Sequence, residues 1–251
     1  MSCDASHVSQ LELARYQRIV VLTGAGISVA SGLPTYRGAG GIWNQVAVEQ
    51  HATAAAMLAD PVRVWDFFSE LRGQVAAKKP NAAHLALAEA ERQLGPAHSF
   101  TVLTQNVDGL HHLAGSTRVV ELHGTLRRSR CTRCAFARSE DLSVFPMPCP
   151  SCPQCNAPLR PDVVLFDEAL SVDAEWESKK VLRDCDFFLA VGTSGTVSPA
   201  SNFVRAAEYA GARTVYVNLE PMQPHNPAFQ EVVLGRAEEL LSRLLGVTSS
   251  E

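Results

Sequence analysis

The 251 residues contain no stretch approaching the roughly eighteen consecutive apolar residues of a membrane-spanning helix. The opening Met1 to Gln10 (MSCDASHVSQ) also lacks the charged start and apolar run of a secretory leader. Neither sign of charge dominates: 22 Lys and Arg against 26 Asp and Glu give a net charge of -4, so nothing draws the chain in bulk to nucleic acid or acidic membranes. Repeats and low-complexity tracts are absent. Cysteine is scarce outside one place: five of the seven lie between Cys131 and Cys155, leaving Cys3, in the N-terminal tail, and Cys185, expected to be a small buried residue. This pattern excludes a disulfide scaffold and suits a soluble, cytoplasmic chain whose cysteine cluster binds metal. A chain of this length buries about 75% of its unfolded surface and is long enough for one large domain or one and a half.

What is present is an alternation of short apolar runs with turn and helix signals. Arg18 to Thr23 (RIVVLT) is continuous, apolar and β-branched, the pattern of a strand covered on both faces in a parallel sheet. It runs into Gly24-Ala25-Gly26-Ile27-Ser28, where glycines at a strand-to-helix turn admit a pyrophosphate to the backbone. Val29 occupies the third glycine position, so the dinucleotide fingerprint is incomplete and a purely structural turn fits equally well. Ser31 to Gly41 (SGLPTYRGAGG) has five glycines and prolines in eleven residues and reads as a mobile loop in which Arg37 clamps a phosphate or carboxylate. A mostly helical stretch follows from Trp43 to Lys79, with Asp60-Pro61 as cap and first turn and Trp65, Phe67, Phe68 and Leu71 as its apolar face. Asn81 caps the next helix, and His84 in its first turn reads as a packing or hydrogen-bonding residue.

Two further strands, Phe100 to Leu103 and Val119 to Leu122, end in polar side chains: Gln105, Asn106 and Asp108 after the first, His123 after the second. Open α/β sheets bind ligands beyond the carboxyl ends of their strands, which makes these residues binding-site candidates. The alternation resumes with Val163 to Phe166, a helix around Asp173 to Leu182, Asp186 to Val191 and a second glycine turn, Gly192-Thr193-Ser194-Gly195, offering amides and hydroxyls to phosphate or ribose. Ser198-Pro199 reads as the cap of the following helix; then come Thr214 to Val217, ending at Asn218 and Glu220, Val232 to Leu234, and a C-terminal helix. The expected fold is α/β, a doubly wound parallel Rossmann-like sheet built from 1–36, 80–126 and 161–251. A helical segment with the cofactor loop (37–79) and a zinc-ribbon module (127–160) are inserted in it.

Cys131-x-x-Cys134 and Cys152-x-x-Cys155, with Cys134 and Cys152 eighteen positions apart, have the spacing of a four-thiolate zinc ribbon. Cys149-x-x-Cys152 is also a legal knuckle; the pair 152 and 155 is preferred because it leaves Cys149 in the proline-rich approach MPCPS. Four thiolates fill the coordination of zinc, so the ion is expected to fold the module rather than to catalyse.

In order along the chain, Gly24 to Ser28, Ser31 to Gly38, Pro80-Asn81 with His84, Thr104 to Asp108, Glu121 to Gly124, the two cysteine pairs, Leu159 to Phe166, Gly192 to Ser194 and Val217-Asn218 resemble the motifs of the sirtuin family of NAD-dependent protein lysine deacylases. The resemblance implies that Gly24, Ala25, Gly26, Gly192, Thr193, Ser194, Asn218 and Ala237 hold the adenosine and phosphate end of NAD, with Arg37 closing over it. Ile27, Asn106 and Asp108 would line the nicotinamide pocket, Gln105 would lie near the ribose, and His123 would be the general base. The edge Val163, Val164, Leu165 and Phe166 would pair with the backbone of an acyl-lysine protein or peptide as an added strand. The products implied are nicotinamide and O-acyl-ADP-ribose, with NAD as co-substrate, structural zinc, and no nucleic acid or membrane as partner. ADP-ribosyl transfer or NAD hydrolysis at the same site, and a non-catalytic NAD-sensing module, are the alternative functions.

Two features depart from the family pattern. Asp167 stands where many members have glycine. The loop Tyr36 to Gly41, with a small residue at Ala39, resembles the branch that removes succinyl and malonyl groups, yet Phe68 and Leu71 occupy the places of that branch's Tyr-x-x-Arg pair. Without phenol and guanidinium a buried acyl carboxylate lacks charge-assisted partners, so the expected substrates are acetyl or longer uncharged acyl groups, with Arg72 the residue best placed to overturn this.

Overall fold

The computed structural model describes residues 9–35, 52–138, 142 and 149–247. The first strand, β1 (Arg18–Thr23), has the bounds the apolar run predicts and is buried over all but its first residue. It turns at Gly24 into a 3-10 helix, Ala25–Ser31. The helices α1 (Ala54–Ala59) and α2 (Pro61–Ala76) follow; Thr53 caps the first and Asp60 the second, each side chain accepting a first-turn amide. Helix α3 (Ala82–Leu94) begins in a capping box in which Asn81 and His84 each bond the other's backbone. The chain continues through β2 (Ser99–Thr104), the short α4 (Leu110–Ala114), β3 (Val119–Glu121), β4 (Gly124–Cys131), β5 (Ala137–Arg138) and β6 (Leu159–Val163). Last come α5 (Val172–Leu182), β7 (Phe187–Val191), α6 (Phe203–Tyr209), β8 (Arg213–Asn218), β9 (Glu231–Leu234) and α7 (Ala237–Leu245).

Six of these strands form one parallel sheet in the order β3-β2-β1-β7-β8-β9, with Val21 opposite Val102 on one side and Leu189 on the other. Side chains alternate between its faces. Val21, Val102, Leu189 and Val215 pack against α3 and α7, while Val20, Leu103, Phe188 and Tyr216 pack against α5 and α6. Both faces are covered, which is why these strands read as unbroken apolar runs. Chain order reverses between β1 and β7, and the loops that leave those two strands frame the crevice at this switch point.

The remaining strands form a small antiparallel sheet, β5-β4-β6. The helical segment and the ribbon, separate insertions in sequence, share one core: Trp65 and Phe68 of α2 pack with Leu126, Cys131 and Leu159, and the Trp65 indole N–H donates to the Leu159 carbonyl. No helix of the described residues is long and apolar enough to cross a membrane.

Two expectations need correction. The strand expected over Val163 to Phe166 is β6, which ends at Val163; beyond it the Val164 amide donates to the His123 carbonyl and the Phe166 amide to the Ala52 carbonyl, so 164–167 is a strap tied to two neighbours. Ser198 caps no helix: the chain makes a 3-10 turn at Ala200–Asn202 before α6 begins, with no side-chain cap at either start. Cys185 is buried, as its position beside β7 suggested.

At the switch point a Cβ on Gly192 would collide with the Ile27 amide nitrogen, and Gly192 also has a φ of 62°. Gly192→Ala should therefore lower the unfolding free energy by about 2–4 kcal/mol, through overpacking and a left-handed backbone together. Chemical denaturation measures this, and a loss below about 0.5 kcal/mol would mean that the two loops separate freely.

Candidate active site

The two glycine turns meet backbone to backbone. The Gly24 amide donates to the Val191 carbonyl at 3.0 Å and the Gly26 amide to the Gly192 carbonyl at 2.8 Å. A Cβ on Gly24 or Gly26 would sit 2.7–2.9 Å from Gly192 or Thr193, so both glycines are required by close approach. Above them opens a cleft of about 1030 Å³ whose wall includes Gly24, Ala25, Gly26, Gln105, Asn106, His123, Gly192, Thr193, Ser194, Asn218 and Ala237. Residues drawn from the ends of β1, β2, β3, β7 and β8 are thus brought to one surface. Ile27 and Asp108, also expected there, are buried and outside that wall. Arg37 and Ala39, with Tyr36, lie outside the described residues.

Asn106 is held from three sides. Its amide donates to the Thr104 hydroxyl at 3.1 Å, and its Nδ2 donates to the Gly24 carbonyl and the Ser28 hydroxyl, each at 3.2 Å. Because a carbonyl only accepts, the bond to Gly24 fixes which end of the side-chain amide is nitrogen. Oδ1 is left buried without a hydrogen-bond partner among the described residues. An unmet acceptor on a cleft wall costs about 1–3 kcal/mol, which a ligand amide would recover.

Ser28 is the hub of the layer behind. Its hydroxyl donates to Asp108 Oδ2 at 2.8 Å and lies 3.4 Å from His84 Nε2. Asp108 also accepts from the Leu110 amide at 2.9 Å. Burial pushes the Asp108 carboxyl up, against the pull of those two donors, and takes His84 down to about 4, so His84 is neutral at pH 7. His111 stacks obliquely on His84, its ring 4.9 Å away, and meets the Thr23 hydroxyl, which in turn bonds Thr104. Sequence reasoning gave Ser28, Thr23, Thr104 and His111 no role. Ser28, as the last residue of the glycine turn, and Thr104, as the first residue of the motif ending at Asp108, carried the only signals.

His123 stands two residues after β3, half-buried, with Nδ1 3.0 Å from the Gln105 carbonyl. That carbonyl can only accept, so in the neutral ring Nδ1 carries the proton and Nε2 is a free base. Burial lowers the His123 pKa, partly offset by the Gln105 bond, and the neutral form dominates at pH 7 more strongly than in an unperturbed histidine. The Gln105 side chain reaches across to the Thr193 hydroxyl at 2.9 Å, tying the β2 and β7 loops together.

The opposite end of the cleft is apolar. Phe68 and Leu71 line it, joined by Phe67, Val107, Val163, Val164, Leu165 and Phe166. Arg72 turns away: fully buried, it lies 4.9 Å over the Trp65 ring and donates to the Arg128 carbonyl and the Ser129 hydroxyl at 3.1 and 3.0 Å. Glu168 is also on the cleft wall, gripped by Arg160 at 2.5 and 2.8 Å.

In the ribbon, the sulfurs of Cys131, Cys134, Cys152 and Cys155 all lie within 4.8 Å of one another, with Cys131 to Cys155 at 3.4 Å and Cys134 to Cys152 at 3.6 Å. Tetrahedral zinc with Zn–S bonds of about 2.3 Å needs sulfurs roughly 3.8 Å apart, so the donor set and its spacing fit structural zinc. Amides of Arg133, Cys134 and Gln154 point at the sulfurs of the two knuckles, as thiolates require. Cys149 is not in the cluster; its thiol faces the Pro150 and Leu159 carbonyls. Of the ribbon arginines, Arg128 and Arg130 pair with Asp162.

The fold and cleft therefore define a doubly wound α/β protein with an inserted four-cysteine ribbon, its candidate phosphate cradle and its candidate base on one wall. The Sir2 family profile matches residues 24–199, and the chain belongs to that family. It is 43% identical over 233 residues, 93% of this chain and 92% of the relative, to NAD-dependent protein deacylase 2 of Pyrobaculum aerophilum. Against an NAD-dependent protein deacylase of Thermus thermophilus the identity is 46% over 84% of this chain and 82% of that one. A solved complex of a Sir2 homologue with NAD superposes with a TM-score of 0.86 at 34% identity, covering 96% of this chain and 95% of the other.

The zinc assignment has a direct check. Cys152→Ser should abolish bound zinc, read by atomic emission, and lower the melting temperature, whereas Cys149→Ser should keep one zinc per chain. Zinc loss in the Cys149 variant would place that thiol in the metal site.

Proposed function

We propose that this chain removes acyl groups from lysine side chains of proteins or peptides at the expense of NAD, releasing nicotinamide and O-acyl-ADP-ribose. The observation that carries the reading is a histidine whose tautomer is set by a backbone carbonyl, facing the same cleft as a glycine cradle and an unmatched buried amide oxygen. Relatives named NAD-dependent protein deacylases, matched over nearly the whole chain, support the same conclusion. The cradle residues fit NAD: the bare backbone of Gly24, Ala25 and Gly26 and the loop Gly192, Thr193 and Ser194 suit a pyrophosphate, and Asn218 and Ala237 extend that wall toward the adenosine. Bound NAD supplies a scissile nicotinamide–ribose bond, and with it an electrophilic carbon that the acyl oxygen attacks.

The chain's residues then have separable tasks. Asn106 Oδ1 accepts the carboxamide N–H of nicotinamide, and Ser28 and Asp108 keep Asn106 in place from behind. His123 Nε2 takes a proton from a ribose hydroxyl, its Nδ1 proton remaining on the Gln105 carbonyl. Phe68 and Leu71 pack against the acyl chain. With Arg72 stacked on Trp65 and away from the cleft, no guanidinium of the described residues stands beside Phe68 and Leu71 at the acyl wall, and the preferred acyl groups are acetyl or longer uncharged chains. The clustered, unpaired cysteines support a reducing, cytoplasmic setting for this activity.

His123→Ala should lower kcat by about 10²- to 10⁴-fold, the usual worth of general base catalysis, with the fold intact. In the wild type the acid limb of kcat/KM should lie below pH 6.5, because activity needs the neutral ring and burial lowers its pKa. A limb above pH 6.5, or near-normal turnover in the variant, would remove His123 as the base. In a second assay acetyl-lysine peptide should exceed succinyl-lysine peptide in kcat/KM by at least about tenfold, since a buried unpaired carboxylate costs several kcal/mol. Faster succinyl turnover would overturn the acyl assignment.

A further inference from the structure

The chemistry assigned to the cleft gives Asp167, beside the cleft-lining Phe166 and Glu168, no task. Its side chain is exposed and could be satisfied by water, yet it accepts from two backbone amides more than a hundred residues away, Ala54 at 2.5 Å and Ala55 at 3.2 Å. One residue earlier the Phe166 amide donates to the Ala52 carbonyl at 2.9 Å, so 166–167 and 52–55 are joined by three consecutive hydrogen bonds. On its other side the strap is fixed by the Val164 amide, which donates to the carbonyl of His123. Ala52, Val164, Leu165 and Phe166 all line the cleft. The strap therefore lies between His123 and the start of α1 in the helical insertion, and glycine at 167 would delete two of its three bonds to that insertion. Those bonds connect parts that share no strand pairing: β6 ends at Val163, and residues 52–55 belong to a segment inserted between β1 and β2.

We propose that Asp167 is a positioning residue for the acyl-lysine peptide, its carboxylate fastening the strap at 164–167 to residues 52–55 so that the two sides of the cleft keep a fixed separation. The assignment rests on the deacylase reading above. The Ala54 amide, followed by that of Ala55, holds the carboxyl below the usual carboxylate range, so the tie is charged at neutral pH. A tie of this kind acts on peptide binding before it acts on bond cleavage.

The test compares wild type, Asp167→Gly and Asp167→Asn for binding of a fluorescent acetyl-lysine peptide by anisotropy, and for kcat and KM with the same peptide. Asp167→Gly should raise the peptide Kd and KM by about tenfold while kcat falls by less than about threefold, since the lost bonds position the ligand rather than reach the reacting atoms. Asp167→Asn keeps one acceptor oxygen and should fall between the two. It also carries the test should the glycine variant fail to fold. Peptide affinity in Asp167→Gly equal to wild type, or a loss confined to kcat, would overturn the assignment, as would wild-type affinity in Asp167→Asn if glycine does not fold. A wild-type chain that binds and turns over no acyl-peptide would instead overturn the deacylase reading itself.

Discussion

Everything at this site depends on two loops approaching closer than side chains allow. Gly26 and Gly192 are joined amide to carbonyl at 2.8 Å, and a single Cβ on either would strike the other's backbone. The contact sits at the point where strand order reverses, so it also decides where the sheet opens a crevice. With the two turns locked, the Gly24 carbonyl is in place to orient Asn106, and Thr193 is in place to receive Gln105, whose own carbonyl orients His123. The two glycine turns, Asn106 and His123 are therefore one hydrogen-bonded unit, carried on the apolar sheet beneath it.

The insertion does different work. Trp65 and Phe68 pack on the ribbon through Leu126 and Leu159, so the four thiolates that close the ribbon also brace the helix carrying the apolar wall. A zinc ion held there would shape the cleft from a distance. The strap at 164–167 is bonded to His123 on one side and to residues 52–55 on the other.

Local and tertiary causes divide what was legible in the sequence from what was not. β1 was readable to the residue because a strand buried on both faces must be apolar throughout, and Asp60 and Asn81 were readable as caps because capping is satisfied within one turn. The cysteine quartet was readable from spacing: Cys131, Cys134, Cys152 and Cys155 cluster, and Cys149 lies outside that cluster. Strap, network and orientation of Arg72 were not readable. Val163 to Phe166 looks like a strand because its residues suit one, but the partners of Val164 and Phe166 are His123 and Ala52, distant in sequence. Arg72 looked available to an acyl carboxylate until Trp65 and Ser129 claimed it. Ser28, Thr23, Thr104 and His111 are ordinary residues individually and become a network only when the ends of β1 and β2 meet the 3-10 helix and α4.

The central claim is that this cleft couples cleavage of NAD to removal of an acyl group from lysine. Mass spectrometry of one reaction mixture tests it most directly, following nicotinamide release and loss of acyl mass from an acetyl-lysine peptide, alongside a mixture without peptide. The account predicts that the two products appear in equal amounts and that NAD stays intact when peptide is absent. Nicotinamide release at the same rate without acyl-lysine would contradict it and would make the chain an NAD hydrolase.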